Sequence, residues 1–185
     1  MFAITQRLLL RPGWREDAPA LFRAICDEGI VRNLAQAPWP YSFADAESFL
    51  MRERAPHDPT CLVFLRTEGA PQLAGAVGLH HKEGEEETEM GYWIARPFWG
   101  RGIATEAGAA LIANARESLR LRRLTAGHFT DNPASGAVLR KLGFKPTGRI
   151  RQRFSVGRNE VARCREFVLD LQDEPACAAP CPMAA

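Results

Sequence analysis

The chain has 185 residues, of which 46% are hydrophobic and 25% are charged, a size and balance that fit one globular domain with its own core. The formal net charge of +2 is nearly neutral, so bulk charge gives no argument for nucleic acid or a membrane surface as a partner. No apolar stretch approaches the length of a transmembrane helix. Five cysteines, an odd number without paired spacing in the body of the chain, favour reduced thiols, so we expect a cytoplasmic protein.

The first half of the chain is predicted to form a strand, two helices and two further strands. Apolar residues at helical spacing predict the first helix, and Ser42 and Asp45 are both suitable N-caps for the second. A proline-broken loop over 36–42 separates the two helices. The predicted order is strand 4–12, helix 14–34, helix 44–55, strand 61–67 and strand 72–82.

The second half alternates strands with helices and ends in a hairpin. Gly143 suits the position that follows a helix C-terminus. The predicted order is strand 89–95, helix 103–120, strand 122–129, helix 132–144 and a hairpin over 145–171 that turns at SVGRNE. Consecutive strands in the middle of the chain argue against a doubly wound sheet and favour a mixed α/β fold of about seven strands and about four helices. We expect one domain over 1–172 and a disordered tail over 173–185.

The segment WGRGIATEAG, residues 99–108, places two glycines where a loop becomes a helix. A dinucleotide-binding fingerprint that began at Gly100 would need glycine or alanine at Thr105, and a Walker loop would need Lys-Ser/Thr after Gly102. Both are therefore excluded. Backbone amides of residues 100–104 could bind an anion at the helix N-terminus. The alternative is a tight turn that needs glycine and binds nothing.

Two motifs in the right order carry a family resemblance. The run EMGYWIARPFWGRGIATEA is followed about thirty residues later by DNPASGAVLRKLGF, and together they resemble the GCN5-related N-acetyltransferase superfamily. The opening TQRLLLRP and the segment WPYSFADAESFL are similar to its branch of ribosomal-protein N-terminal acetyltransferases. The resemblance implies a mostly antiparallel mixed sheet and direct acetyl transfer from acetyl-CoA to a primary amine. The acceptor implied is a protein N-terminus, with a small amine or amino sugar as the alternative, and a homodimer is left open.

The resemblance also assigns residues to the cofactor. The diphosphate of acetyl-CoA would lie on the amides of the glycine loop, and the strand before it would pair its backbone with the pantetheine amides. Trp99 departs from the Gln or Arg that the family has at the first loop position. The residues assigned to acetyl-CoA in this way are Tyr92, Trp93, Ile94, Trp99, Gly100, Arg101, Gly102, Ile103, Ala104, Asn132 and Ser135.

Glu89 is the candidate general base. Deprotonating an α-amine of pKa ~7.8 costs about 1 kcal/mol at pH 7, whereas a lysine costs about 4–5 kcal/mol, so a base helps the first acceptor and is close to necessary for the second. Alternation on the strand groups Glu89 with Gly91 and Trp93 on one face. The resemblance implies a catalytic glutamate here. The alternative is a solvated turn residue that ends the acidic run EGEEETE.

Ser135 is the candidate for stabilising the leaving thiolate. Many family members have a tyrosine seven residues after Asn132, but this chain has Leu139 there. Ser135 would replace it as a hydrogen-bond donor to the sulfur. A purely structural alternative for Ser135 is a hydrogen bond to the backbone of the first helical turn. The structural alternative for Asn132 is the N-cap of a helix that begins at Pro133.

The acceptor end is less well defined by sequence. In this fold the loop between the first two helices borders the acceptor groove, so the predicted substrate contacts are Arg32, Trp39, Tyr41 and His80. The alternative for the aromatic loop is a hydrophobic lid over the sheet. His80 and His81 are adjacent and would face opposite sides of a strand, and no metal site is predicted.

Arg149, Arg151 and Arg153 alternate, so one face of the predicted hairpin would be basic. Such a face usually is a solvated edge that discourages sheet aggregation, and the alternative is a docking surface for the CoA 3′-phosphate, a ribosome or an acidic substrate. The missing tyrosine and this basic face each leave a rival to an enzyme. One is a non-catalytic acyl-CoA-binding or sensor module, and the other is an RNA- or ribosome-docking protein.

Overall fold

The computed structural model describes residues 1–81 and 87–172. One eight-stranded sheet runs in the order β1-β2-β3-β4-β5-β6-β8-β7, and every neighbouring pair is antiparallel except β5 and β6. The strands are β1 Ala3–Ile4, β2 Leu8–Arg11, β3 Thr60–Leu65, β4 Gln72–His81, β5 Thr88–Ile94, β6 Arg123–Phe129, β7 Lys145–Ser155 and β8 Glu160–Asp170. The α-helices are α1 Ala18–Ile25, α2 Glu28–Val31, α3 Phe43–Met51, α4 Ile103–Glu117 and α5 Pro133–Lys141, with 3₁₀ turns at Arg15–Asp17 and Arg96–Phe98.

The predicted mixed, mostly antiparallel fold is confirmed, with one more strand and one more helix than expected. The strand predicted over 4–12 is a small hairpin, because Thr5 closes a turn by donating to and accepting from Leu8. The helix predicted over 14–34 is wrong as one element. Its chain leaves the helical conformation at Cys26 and becomes extended at Asp27, whose carboxylate then caps α2 through the amide of Gly29 at 2.8 Å.

A hydrophobic core lies on each face of the sheet. The core beneath α4 and α5 includes Leu79, Met90, Leu111, Leu139 and Phe167, and the core beneath α1 and α3 includes Leu21, Ile25, Leu62, Phe64 and Trp93. Because successive side chains of a strand point to opposite faces, β5 contributes to both cores. Glu89, Gly91 and Trp93 thus share the α1 side, as the alternation predicts.

β5 and β6 diverge after a short contact. β5 pairs with β4 at seven positions, from Gly75–Ile94 to His81–Thr88. With β6 it pairs only at Thr88–Leu124 and Glu89–Thr125. Within the part of the chain that the structure describes, residues 90–94 therefore present a backbone edge that no strand of the sheet covers. The gap between the diverging strands, called the cleft below, runs along β5 from Glu89 to Ile94, whose carbonyl accepts the indole of Trp99 in the glycine loop.

Some sequence expectations fall outside the described residues. The predicted disordered tail 173–185 and most of the acidic turn, 82–86, are among them. Over residues 1–81 and 87–172, no helix combines the length and the apolar character needed to cross a membrane.

Gly75 fixes how closely β4 and β5 approach. A Cβ atom there would overlap the carbonyl oxygen of Trp93 and come within 3.0 Å of the Ile94 Cα. We predict that Gly75→Ala lowers the free energy of unfolding by about 1–3 kcal/mol, because backbone must move. Chemical denaturation measures the loss. Gly69→Ala, where the new Cβ would come no nearer than 3.9 Å to Thr67, is the control; equal effects of the two changes would contradict this account.

Candidate active site

The glycine loop enters α4 through two residues in the left-handed region. Gly100 has φ +73° and Gly102, the N-cap of α4, has φ +74°, a conformation that favours glycine. Glu106 is the first residue to donate back along the helix, to the Gly102 carbonyl at 3.0 Å. The amides of residues 103–105 therefore point out of the helix N-terminus, where the helix dipole favours an anion. A Cβ atom at Gly100 would meet nothing within 4 Å, so the space beside this residue is open.

Trp99 ties this loop to the end of β5. Its indole Nε1 donates to the Ile94 carbonyl at 2.6 Å, and the Arg96 guanidinium lies 5.0 Å from the centre of its ring. Arg96 in turn pairs with Asp27 at 2.6 Å, and the pKa of the Asp27 carboxyl is lowered by this hydrogen bond. The tryptophan thus holds the loop against the open edge of β5, in the position where the family has Gln or Arg.

Ser135 faces Tyr92 across the cleft. The Tyr92 hydroxyl lies 2.8 Å from the Ser135 hydroxyl and donates to the Ser135 carbonyl at 3.1 Å. Asn132 caps α5 by accepting the Ser135 amide at 3.3 Å, so the N-cap expectation for Asn132 holds. Burial raises the pKa of Tyr92 to about 12, although its hydrogen bond with Ser135 opposes the rise. Tyr92 is therefore a neutral hydrogen-bonding group at any ordinary pH.

Glu89 lies on the other face of the sheet, in an ion pair with Arg153 of β7. The Arg153 Nη1 lies 2.5 Å from the Glu89 Oε1, and the Glu89 side chain is only 12% exposed. Burial opposes the charge on Arg153, but the Glu89 carboxylate outweighs it and raises the pKa of the guanidinium. Glu89 is thus a held carboxylate and not a solvated turn residue.

A cavity of about 410 Å³ opens beside this pair, on the face of β5–β8 that the helices leave bare. Its lining includes Glu89, Thr125, Gly127, Arg149 and Arg153. The alternation of Arg149, Arg151 and Arg153 predicts a basic face. It does not predict the ion pair between Arg153 and Glu89. That ion pair depends on the register of β7 relative to β5, which is set through β8 and β6. No local pattern in the sequence predicts this register.

Arg32 is brought to the cleft by a second ion-pair cluster. Arg158, from the β7–β8 turn, donates to both carboxylate oxygens of Asp131 at 2.8 and 2.9 Å and to the Arg32 carbonyl. Arg32 pairs with the same carboxylate at 3.2 Å. The hydrogen bond from Arg158 is the main reason that the pKa of Asp131 is lowered. Asp131 immediately precedes Asn132, so this cluster holds α2 and the start of α5 together.

The remaining predicted acceptor residues divide. His80 is the cross-strand partner of Glu89, and its ring lies 3.8 Å from a Cβ at Gly91, so it shares the face of Glu89. Trp39 is 37% exposed in the loop before α3. Tyr41 corrects the expectation: it is 6% exposed and packs in the core beneath α1 and α3, so it offers no surface to an acceptor.

No group of three or more His, Cys, Asp or Glu side chains that could hold a metal ion occurs in the described ranges. The arrangement is instead an open strand edge with outward amides at one end, a pair of hydroxyls along one wall, and a carboxylate on the far face. Such a set can bind an elongated anionic ligand, hydrogen-bond a sulfur or oxygen, and accept a proton.

Comparison with curated proteins finds bacterial N-acetyltransferases. The uncharacterised N-acetyltransferase YoaA of Bacillus subtilis is 29% identical over 160 residues, covering 82% of this chain and 88% of that protein. The ribosomal-protein-serine acetyltransferase of Escherichia coli is 34% identical over 82 residues, covering 44% of this chain and 46% of that protein. The second match spans less than half of either protein.

Solved structures share the fold at low identity. A GNAT-family acetyltransferase from Bacillus anthracis aligns with TM-score 0.80 and 22% identity over 94% of this chain and all of that one. RimL, a ribosomal L7/L12 alpha-N-protein acetyltransferase in complex with coenzyme A, aligns with TM-score 0.76 and 19% identity over 92% of this chain and 98% of that one. At these identities the likeness shows the fold.

The family assignment follows from a match across most of the sequence. The family model described as the acetyltransferase (GNAT) domain matches residues 7–145, a range that includes β2, the open edge of β5, the glycine loop and α5. Fold, relatives and family match agree with one another, and the chain belongs to the GNAT family of acetyltransferases.

Proposed function

We propose that this protein is a cytoplasmic N-acetyltransferase that transfers an acetyl group directly from acetyl-CoA to a protein N-terminal amine. The observation that carries the proposal is the uncovered backbone edge of β5 at residues 90–94, which Trp99 links, through the Ile94 carbonyl, to the loop that leads into the outward amides of residues 103–105. The ribosomal-protein acetyltransferases among its relatives and structural neighbours support an N-terminal acceptor over a small amine or amino sugar.

The cofactor end is formed by backbone. The amides of 103–105 and the loop residues Gly100 and Gly102 fit a diphosphate, since the space beside Gly100 is open and the helix dipole favours negative charge. The cleft-side backbone groups of β5 fit the amides of a pantetheine chain, as an added strand would pair with them, except for the Ile94 carbonyl, which accepts the Trp99 indole. Acetyl-CoA supplies the acetyl group as a thioester, whose sulfur leaves as a thiolate.

Glu89 accepts the proton of the acceptor amine in this proposal. Its carboxylate lies on the cavity face of β5, where an acceptor can enter without crossing the cofactor edge. Arg153 holds it in one orientation at 2.5 Å, which limits the reorganisation needed when an amine approaches. His80, beside Glu89 on the neighbouring strand, and Arg32 and Trp39 at the α2–α3 side are the proposed acceptor contacts.

Ser135 donates a hydrogen bond to the leaving thiolate in this proposal. A thiolate of pKa ~8.5 leaves with modest help, so a hydroxyl suffices. For the Ser135 proton to be available to the sulfur, the Tyr92 hydroxyl donates to the Ser135 Oγ at 2.8 Å and not to the Ser135 carbonyl. Leu139, which stands where the family often has tyrosine, is 1% exposed in the core and takes no part. The leucine at this position, in place of a tyrosine, is the observation that favours the second candidate, a non-catalytic acyl-CoA-binding module.

A thiol-release assay with acetyl-CoA separates the two candidates. We expect turnover with short peptides whose N-terminus is free, and background hydrolysis with the same peptides blocked at the N-terminus, because the neutral α-amine is the nucleophile. Calorimetry on the same preparation measures acetyl-CoA binding. Tight binding without turnover on any peptide, small amine or amino sugar would favour the non-catalytic module and overturn the proposal.

Glu89→Gln is expected to lower kcat about a hundredfold, the usual contribution of a general base, while the Kd for acetyl-CoA stays nearly unchanged. The change also leaves Arg153 without its carboxylate, so the double variant Glu89→Gln/Arg153→Leu is the matched control. If Glu89 is the base, the double variant stays slow. Recovery of wild-type turnover in the double variant would instead mean that Glu89 only neutralises Arg153.

Both tyrosines of the chain, Tyr41 and Tyr92, are expected to ionise at about pH 12, because loss of contact with water disfavours the charged form of each. Absorbance at 295 nm against pH measures this, and Tyr92→Phe should remove about half the amplitude. The pKa of each tyrosine is higher in the folded protein than in the unfolded chain. The contribution of the two tyrosines to the free energy of unfolding should therefore be fully present below pH ~10 and be lost between pH ~10 and ~12. A transition near pH 10 in the folded protein would contradict the burial of the Tyr92–Ser135 pair.

A further inference from the structure

The turn between β1 and β2 reaches across to the first turn of α4. Arg7 donates from Nε to the Glu106 Oε2 at 2.7 Å, its Nη2 lies 2.7 Å from the same oxygen, and its backbone amide donates to Oε1 at 2.9 Å. The Thr5 hydroxyl donates to Oε1 at 2.5 Å. Both oxygens of the Glu106 carboxylate are therefore engaged by the N-terminal hairpin.

Glu106 creates an electrostatic problem for the proposed cofactor site. A carboxylate in the first turn of a helix interacts favourably with the helix dipole, but here it lies one turn from amides that are proposed to bind a diphosphate. Left unpaired, its negative charge would repel that ligand. Burial alone would raise the pKa of Glu106, but the hydrogen bonds from Thr5 and Arg7 lower it, so it is ionised at neutral pH and depends on Arg7 for neutralisation.

Arg7 also touches the glycine loop itself. Its Nη1 donates to the carbonyl of Arg101 at 2.9 Å, and Arg101 is the residue between the two glycines of positive φ. Its Nη2 lies 3.6 Å from a Cβ at Gly102. One side chain thus fixes the peptide plane in the middle of the loop and pairs with the acid behind it.

The surroundings of Arg7 are positively charged. Its side chain is 42% exposed, and it lines an open cavity of about 510 Å³ together with Arg66, Arg101 and one acidic residue, Glu68. Because Glu106 is paired, the charge that remains at this edge of the loop is mainly cationic, which favours an anionic ligand.

We propose that Arg7 is a positioning residue for acetyl-CoA: it neutralises Glu106 and holds the loop whose amides receive the diphosphate. This inference rests on the proposed function. It also explains why the opening TQRLLLRP belongs to the same site as the glycine loop, although more than ninety residues separate Arg7 from Arg101.

Binding of acetyl-CoA to four purified proteins tests the inference by calorimetry. They are the wild type, Arg7→Ala, Glu106→Gln and the double variant. We expect Arg7→Ala to raise the Kd by about tenfold to a hundredfold, the range for losing a hydrogen bond to a charged group. Glu106→Gln should bind at least as tightly as wild type, because a negative charge is removed and Arg7 remains. The double variant should bind more tightly than Arg7→Ala, because the unpaired carboxylate is gone, but less tightly than wild type, because the contact with the Arg101 carbonyl stays lost.

The outcomes are distinct. If Arg7→Ala and Glu106→Gln weaken acetyl-CoA binding equally and the double variant does not recover, the pair only holds the fold and the inference is overturned. Wild-type affinity for acetyl-CoA in Arg7→Ala would overturn it as well. Absence of binding in the wild type would overturn the proposed function and the inference with it.

Arg7→Lys, which keeps the charge but loses the forked contact, should weaken binding less and serves if Arg7→Ala does not fold. Arg15→Ala, on an exposed 3.9 Å pair with Glu47, is the control and should bind normally.

Discussion

One edge of β5 pairs with β4 along the whole strand, whereas the other edge pairs with β6 only as far as Glu89. β6 keeps a full partner in β8, so the sheet stays continuous at one end and open at the other. An uncovered strand edge normally invites pairing with another chain. Here the edge lies in the cleft between β5 and β6, with the glycine loop held to its Ile94 end by Trp99, and it is available to a ligand of strand-like shape.

Three polar contacts hold the walls of this cleft. Tyr92 joins β5 to α5 through Ser135, Trp99 joins the loop to the end of β5, and Arg158 fixes the turn before α5 through Asp131. Each contact links segments that the open sheet does not otherwise connect. A site built in this way can separate its tasks: backbone on one side holds the donor, while the carboxylate and the arginines on the other side meet the acceptor.

Local chemistry made much of this predictable from sequence. Positive φ at Gly100 and Gly102, the cap at Asn132 and the face of Glu89 follow from short-range rules. The break in the first helix does not, because its apolar spacing continues through Asp27 while the side chain of that residue starts a new helix. The pairing of Arg153 with Glu89 depends on strand register across three neighbours, and the burial of Tyr41 depends on tertiary packing that proline-rich sequence does not reveal.

The central claim is that residues 90–94 and 103–105 together receive acetyl-CoA. Amide hydrogen exchange of the wild-type protein with and without acetyl-CoA tests this most directly, since the amides of 103–105 and those amides of 90–94 that do not point toward β4 have no strand or helix partner. The account predicts that both segments become protected on binding, while β7 and β8 exchange as before. Unchanged exchange in both segments at saturating acetyl-CoA would contradict it.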